Sequence, residues 1–221
     1  MNFGKTSVRL YAVTDRAWTG SQSLAQQVEA ALRGGVTCVQ LREKHLDTRA
    51  LVREAEEIGR LCRRCGVPFL INDDVEAALR CGADGVHVGQ DDMAVQEARR
   101  ALGPGKIIGV SAHSVEEALT AQRNGADYLG VGAMFATATK TDVHVTTRDT
   151  LRQICAAVDI PVVAIGGITE ENLPELAGTG VDGVALVSAI FSAPDIEARC
   201  RHLRALAEQA AQTPRQRTEE L

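Results

Sequence analysis

Short apolar runs rich in β-branched residues recur along the chain, and a segment with helical spacing of its apolar positions follows most of them. Runs of this kind, bounded by glycine, proline or polar residues, predict β-strands. Eight strands are predicted, over VRLYAVT (8–14), TCVQLR (37–42), PFLIN (68–72), GVHV (85–88), IIGVS (107–111), YLGVG (128–132), PVVAIG (161–166) and GVALVS (183–188).

The segments between these runs predict helices, and several of them end on glycine, as helix C-termini do. Strand and helix patterns alternate through 221 residues, which predicts an α/β fold and favours a single-domain (β/α)8 TIM barrel. A doubly wound parallel sheet is also compatible with this alternation. The main helical patterns are SLAQQVEAALRGG (23–35), TRALVREAEEIGRLCRRCG (48–66), SVEEALTAQRNGA (114–126) and EENLPELAGTGV (170–181).

Two details favour the closed barrel. A G-[AV]-D-[GY] motif recurs before strands, in GADGVHV (82–88), GADYLGV (125–131) and GVDGVAL (180–186), as if one turn were reused around the barrel. Polar residues also collect after the strands, where barrel active sites are built. Since no linker-like stretch interrupts the pattern, we expect one domain over residues 1–212 and a disordered polar tail over 213–221.

Composition excludes some classes of partner. The net charge is -5, the pI is near 5.6 and aromatic residues make up 3%, which argues against a nucleic-acid-binding surface. The first residues contain no apolar signal region, and no stretch approaches a membrane span. We therefore expect a cytoplasmic protein with no nucleic-acid and no membrane partner.

Six cysteines are scattered along the chain, and we expect them to be reduced. Cys62 and Cys65 form a C-x-x-C pair, which can be redox-active or half of a zinc site. No second pair stands at zinc spacing, and a helix C-terminus disfavours the thiolate that redox chemistry needs. The pair is interpreted as structural, with Gly66 ending the helix.

The residues that follow the strands would meet at one mouth of the barrel. The glycines of AIGGITEEN and the serine of ALVSAIF lie at strand-to-helix turns, which is typical of a barrel phosphate site. The alternative is that these glycines only shape tight turns. The candidates are Gln40, Arg42, Glu43, Lys44, Asn72, Asp73, Gln90, Asp91, Asp92, Ser111, His113, Thr137, Thr139, Lys140, Gly166, Gly167 and Ser188.

Charged residues at this mouth suggest a diphosphate and a metal. Arg42, Lys44 and Lys140 are donors suited to phosphate oxygens, although a single lysine is more often a solvated rim charge. Asp73 and one of Asp91 or Asp92 fit the oxygen ligands of Mg²⁺. Helix N-capping is the alternative, since Asp74 and Asp92 each precede a helical pattern, but it explains only one aspartate of each pair.

Taken in order, the motifs YAVTD, VQLREK, INDD, GVHVGQDD, IGVSAHSVEEA, GADYLGVG, TATK, VVAIGGI and GVALVSAI resemble the thiamine-phosphate synthase family, from about Tyr11 to Phe191. The resemblance implies a TIM-barrel transferase. Its substrates would be 4-amino-2-methyl-5-pyrimidinylmethyl diphosphate and a thiazole phosphate, which can carry a carboxylate lost as CO2. The products would be thiamine phosphate and pyrophosphate, and the cofactor Mg²⁺.

The resemblance also implies roles for individual residues. Asp73 and Asp92 would hold Mg²⁺, while Arg42, Lys44, Ser111 and Lys140 would be catalytic. Ala136 and Ala138 depart from the family, which usually has proline or a larger residue there. The pyrimidine diphosphate would contact Gln40, Leu41, Arg42, Glu43, Lys44, Asn72, Ser111 and Lys140. The thiazole phosphate would contact Thr137, Thr139, Gly167, Val187 and Ser188.

The expected chemistry needs no activated nucleophile on the protein. Loss of pyrophosphate builds charge that cations and Mg²⁺ can stabilise, and the thiazole nitrogen is already a nucleophile. Two other functions remain open from the residues: a related thiazole tautomerase, which does not need the diphosphate machinery, and a ligand-binding barrel without turnover. A homo-oligomer is compatible with the sequence.

Overall fold

The computed structural model describes residues 3–89, 94–136 and 145–212 of the chain. Eight parallel strands close into a barrel in chain order, because the last strand pairs with the first. All eight predicted strands are confirmed, and the TIM barrel with them. The strands are Leu10–Val13 (β1), Cys38–Leu41 (β2), Phe69–Asn72 (β3), Gly85–Val88 (β4), Ile107–Ala112 (β5), Tyr128–Val131 (β6), Val162–Ile165 (β7) and Gly183–Leu186 (β8).

Helices pack around the outside of the barrel. The pattern over 170–181 was expected to form a helix like the others but forms only a short 3-10 helix, Leu173–Leu176. Pro174 lies at its start, and Gly178 and Gly180 follow with positive φ, so an α-helix cannot continue there. The α-helices are Leu24–Arg33 (α1), Thr48–Cys65 (α2), Val75–Cys81 (α3), Val95–Leu102 (α4), Val115–Arg123 (α5), Arg148–Ala157 (α6), Ser188–Phe191 (α7) and Ile196–Ala210 (α8).

Apolar side chains form two separate layers. The larger layer lies between the strands and the helices, where alternate strand residues such as Leu41 and Val86 are fully buried. The smaller layer fills the barrel interior and includes Tyr11, Leu70 and Tyr128. Each strand therefore directs successive side chains to opposite faces, as a β-strand must.

The recurring aspartate motif is a structural clip between neighbouring strands. Asp84 precedes β4, and its carboxylate accepts from the N–H of Phe69 at 2.8 Å while its own N–H donates to the Phe69 carbonyl at 2.8 Å. Asp127 makes the same two bonds to Ile108, at 2.7 Å each. A clip is thus one residue that binds both backbone polar groups of a single residue on the preceding strand.

The clips occur on alternate strand pairs. Asp182 binds Val162 in this way, with both distances 2.9 Å, and joins β7 to β8. Thr37 replaces aspartate between β1 and β2, where its hydroxyl accepts from the Leu10 N–H at 3.0 Å and its N–H donates to the Leu10 carbonyl at 2.8 Å. The expectation of a reused turn is therefore confirmed, and its physical content is a repeated pair of hydrogen bonds.

The surroundings of the C-x-x-C pair support its interpretation as structural. All six cysteines are thiols rather than disulfides; Cys62 is buried and Cys65 is exposed. Burial raises the pKa of Cys62 to about 12, so its thiolate is strongly disfavoured. Gly66 ends α2 in the left-handed region, with φ of 67°.

In the part of the chain that the structure describes, no helix has both the length and the apolar character to cross a bilayer.

Replacing a clip residue should destabilise the barrel. Asp182→Ala removes the acceptor of the Val162 N–H, and we expect the free energy of unfolding to fall by about 1–3 kcal/mol. Asp182→Asn keeps an acceptor oxygen and should cost less. Urea denaturation measures both, with the exposed Asp149→Ala as control, for which a change of about 0.5 kcal/mol or less is expected. Equal losses in all three variants would contradict the clip.

The thiols should differ sharply in reactivity. With a disulfide reagent such as 5,5′-dithiobis(2-nitrobenzoic acid), one thiol, Cys65, should react quickly in the folded protein, and all six should react in urea, because the other five are buried. Cys65→Ser should abolish the fast phase. Rapid reaction of Cys62 in the folded protein would show that the pair is accessible and not merely structural.

Candidate active site

A cavity of ≈ 170 Å³ occupies the upper part of the barrel and opens at the carboxyl ends of the strands. Its floor contains the side chains of Tyr11 and Tyr128, and glycine and small apolar residues of β6, β7 and β8 form one side. Polar side chains from β2 to β5 form the other side. The predicted site residues that line this cavity are Gln40, Arg42, Asn72, Ser111, His113, Gly166, Gly167, Val187 and Ser188.

Arg42 is placed by contacts between β1 and β2. Its backbone N–H donates to the hydroxyl of Thr14 at 3.0 Å, and the Thr14 N–H donates to the carbonyl of Gln40 at 3.0 Å. Thr14 is fully buried, so this crosslink is shielded from water. The register directs Gln40 and Arg42 to the cavity and the intervening Leu41 to the outer apolar layer.

Glu43 has a different environment from its neighbours. Its side chain is 4% exposed, and its Oε2 accepts from Arg16 Nε at 3.2 Å. Arg16 also donates to Glu54 on α2 at 2.5 Å. The carboxylate of Glu43 therefore ties the end of β2 to the loop after β1 and to α2, and it does not line the cavity. Lys44 is exposed beyond the rim.

The first aspartate pair divides into two roles. Asp74 is the N-cap of α3, where its carboxylate accepts from the Ala77 N–H at 2.7 Å. Asp73 has a φ of 65°, the only positive φ outside glycine in the described ranges. Asparagine and aspartate tolerate this region best, and such outliers cluster at functional sites. The capping assignment of Asp74 is thus confirmed, and Asp73 is not the cap; its Oδ2 accepts from Asn72 Nδ2.

The second aspartate pair, Asp91 and Asp92, lies outside the described residues. The helix that follows begins at Val95, and its N-cap is Ala94, with no side-chain cap. The suggestion that Asp92 caps this helix is therefore wrong, because the N-cap position falls two residues later. Gln90, Thr137, Thr139 and Lys140 also lie outside the described residues.

A cradle of backbone atoms is formed where β7 ends. Gly166 and Gly167 both have positive φ, 94° and 64°. A Cβ on Gly167 would lie 2.5 Å from the carbonyl oxygen of Phe135, and one on Gly166 would lie 2.5 Å from the Cβ of Ala133. Ser188, the first residue of the short helix α7, lies on the same side of the cavity. Only glycine fits at positions 166 and 167.

Sequence reasoning missed a set of hydrogen-bonded side chains that crosses the barrel interior. Gln40 Nε2 donates to Tyr11 Oη at 2.8 Å, and Tyr11 Oη is 2.8 Å from Tyr128 Oη. His87 Nδ1 is 2.8 Å from Tyr128 Oη, and His87 Nε2 is 3.0 Å from Ser111 Oγ. We call these five residues the barrel relay. Their one signal in the sequence is a polar residue within an apolar strand, as in CVQL and GVHV.

Comparisons with known proteins show the family of the chain. The family model described as thiamine monophosphate synthase matches residues 10–190. A thiamine-phosphate synthase of Chloroflexus aurantiacus is 53% identical, covering 90% of this chain and 92% of the relative. One of Clostridium acetobutylicum is 48% identical, covering 87% of this chain and 92% of the relative. The chain belongs to the thiamine monophosphate synthase family.

A solved structure supports the same membership. The thiamine phosphate pyrophosphorylase of Pyrococcus furiosus superposes with a TM-score of 0.85 at 39% identity, covering 93% of this chain and 98% of that one. The resemblance inferred from the motifs is therefore confirmed. The comparisons give no support to the alternatives, a thiazole tautomerase or a barrel without turnover.

In a thiamine monophosphate synthase, the cradle formed by Gly166 and Gly167 should be sensitive to any side chain. Gly167→Ala adds a Cβ that meets the Phe135 carbonyl and strains a positive φ. We expect the Kd for thiamine phosphate, measured by calorimetric titration, to rise by roughly tenfold or more. Gly105→Ala, at an exposed site with no neighbour within 4 Å, is the control. Unchanged affinity in Gly167→Ala would remove position 167 from the ligand site.

Proposed function

We propose that the protein joins 4-amino-2-methyl-5-pyrimidinylmethyl diphosphate to a thiazole phosphate and releases thiamine phosphate and pyrophosphate, with CO2 where the thiazole carries a carboxylate. The observation that carries the proposal is one cavity in which polar residues of β2 to β5 face the glycine cradle of β7. Two substrates can meet there, one at each side. Family membership supports the same reaction.

The diphosphate would be held at the cationic side of the mouth. The bond between the exocyclic carbon of the pyrimidine and the diphosphate oxygen breaks, and its electron pair leaves with pyrophosphate. Arg42 at the cavity wall and Lys44 at the rim are donors suited to that growing negative charge, together with Lys140. Ser111 would add a hydroxyl donor. Glu43 would act through its ion pair with Arg16, and the contact of Leu41 would come from its backbone.

The pyrimidine ring would lie deeper in the cavity. Gln40 and Asn72 are neutral, and their amide groups can match the nitrogen atoms and the amino group of the ring. The electron-rich aminopyrimidine delocalises the cation left on its exocyclic carbon. The thiazole nitrogen then supplies the electron pair for the new C–N bond, so no residue needs to act as a base. The barrel would accelerate the reaction largely by holding the two rings in line.

The thiazole phosphate would occupy the cradle. Gly167, Val187 and Ser188 line that side of the cavity, and the backbone is accessible where side chains are absent. Thr137 and Thr139 are proposed to complete the phosphate contacts. This arrangement would place the two phosphate-bearing ends of the substrates on separate sides of the mouth.

Asp73 and Asp92 are the residues proposed to hold Mg²⁺. Asp73 fits this role because it offers carboxylate oxygens at the end of β3, is not used as a helix cap, and neighbours Asn72 at the cavity wall. Among the described residues, no three or more histidine, cysteine or acidic side chains cluster as a metal site. When bound, Mg²⁺ would neutralise negative charge on the departing pyrophosphate.

The reaction can be tested directly. Purified protein is incubated with both substrates and Mg²⁺, and thiamine phosphate and pyrophosphate are quantified. Formation of the two products in equal amounts is expected. Binding of both substrates without either product would contradict the proposal.

A cytoplasmic location and a homo-oligomeric state stay predictions from the sequence.

The neighbouring aspartates allow a matched test of the metal site. Asp73→Ala and Asp92→Ala should each lower Mg²⁺-dependent kcat by roughly 100-fold or more while the protein stays folded, because the leaving group loses its counter-charge. Asp74→Ala removes a helix cap and should lower stability by about 0.5–2 kcal/mol with little change in kcat. Full activity in Asp73→Ala would place the metal elsewhere.

A further inference from the structure

The directions of the hydrogen bonds in the barrel relay are constrained, because each hydroxyl has only one proton to donate. Tyr11 and Tyr128 are each 1% exposed, so their hydroxyls depend mainly on protein partners. Among the described residues, the nitrogen and oxygen atoms in hydrogen-bond contact with Tyr11 Oη are Gln40 Nε2 and Tyr128 Oη. Cys38 also lies beside Tyr11, but sulfur is a weak acceptor.

The direction of every bond follows from Gln40. An amide nitrogen can only donate, so Tyr11 Oη accepts from Gln40 Nε2. The proton of Tyr11 then has the oxygen of Tyr128 as its acceptor, and the proton of Tyr128 is directed to His87 Nδ1. Buried polar groups are nearly always paired, and this is the direction that pairs both hydroxyl protons with strong acceptors.

The direction fixes the state of the histidine. If Nδ1 accepts from Tyr128, the neutral imidazole must carry its proton on Nε2. Nε2 then donates to Ser111 Oγ, at 3.0 Å. Ser111 Oγ accepts that bond, and its own proton can then be donated. The opposite tautomer would require Tyr128 to donate to Tyr11, and the Tyr11 proton would then lack an oxygen or nitrogen acceptor.

We propose that His87 is a positioning residue, held as the Nε2–H tautomer by Gln40, Tyr11 and Tyr128, which orients Ser111 as a hydrogen-bond donor toward the ligand in the cavity. The barrel makes room for this device with two glycines. A Cβ on Gly109 would lie 2.0 Å from the ring of Tyr128, and a Cβ on Gly130 would lie 3.0 Å from the ring of His87. Glycine on two strands thus leaves room for the rings of Tyr128 and His87 to lie across the interior.

The catalytic part of this inference rests on the proposed function, but the tautomer does not. The ¹⁵N chemical shifts of the His87 ring in the full chain without substrates at neutral pH report which nitrogen carries the proton. His87→Asn identifies the signals by their loss. Protonated Nε2 with bare Nδ1 is the expected result. A ring protonated on Nδ1, alone or together with Nε2, would overturn the proposal whether or not the protein has synthase activity.

A double-mutant cycle tests whether the relay acts through Ser111. Tyr128→Phe keeps the aromatic ring and removes the hydroxyl, and it should lower kcat by roughly 3- to 10-fold. In a Ser111→Ala background, the same change should have no further effect, because the donor that it orients is gone. Multiplied losses would show that Tyr128 acts by another route and would overturn the positioning role.

Stability controls separate positioning from packing. Thr179→Val removes a buried hydroxyl that donates to the Leu176 carbonyl at 2.7 Å, away from the cavity, and should leave kcat unchanged. If Tyr128→Phe does not fold, Tyr11→Phe provides the same cycle, since it breaks the link between Gln40 and Tyr128. His87 should then lose its single tautomer in the ¹⁵N spectrum. Retention of one tautomer and full kcat in Tyr11→Phe would count against the relay.

Discussion

The clips between alternate strands set the register on which the rest of the barrel depends. Side chains alternate along a strand, so a slip of one residue would turn Gln40 and Arg42 out of the cavity and bring Leu41 into it. A clip prevents this slip because Asp84, or its equivalent, binds both the N–H and the C=O of one residue. The clips lie at the amino ends of the strands, and the functional side chains lie at the carboxyl ends.

The distribution of large and small side chains in the barrel interior explains where the cavity lies. The lower part is filled by large rings, including Tyr11 and Tyr128, with Phe3 packed against Tyr128 at a ring distance of 5.6 Å. Above them, Gly130 and Gly132 line the cavity. Gly130 therefore both admits the ring of His87 and lines the cavity, so stability and function draw on one distribution of side-chain size.

Local patterns in the sequence predict much of the secondary structure. The strands, the cap at Asp74 and the helix stop at Gly66 each follow from a few neighbouring residues, and the structure confirms them. The relay could not be predicted because Tyr11 and Tyr128 are 117 positions apart, and no spacing rule joins them. The ion pairs of Arg16 are of the same kind, since Glu54 is 38 positions away. Long-range pairing becomes visible only when the barrel closes.

Charge is distributed unevenly between the floor and the mouth of the cavity, and this division suits the proposed chemistry. Burial raises the pKa of both Tyr11 and Tyr128 well above their usual range, so the hydroxyls on the floor stay neutral at physiological pH. A neutral floor can position a ring through directed hydrogen bonds without a fixed anion beside a cationic carbon. The charged groups, Arg42, Lys44 and Asp73, lie toward the mouth, where the phosphates would be held. Solvent can screen the charges of these side chains there. The separation follows from desolvation, because an unpaired charge on the floor would cost more than at the rim.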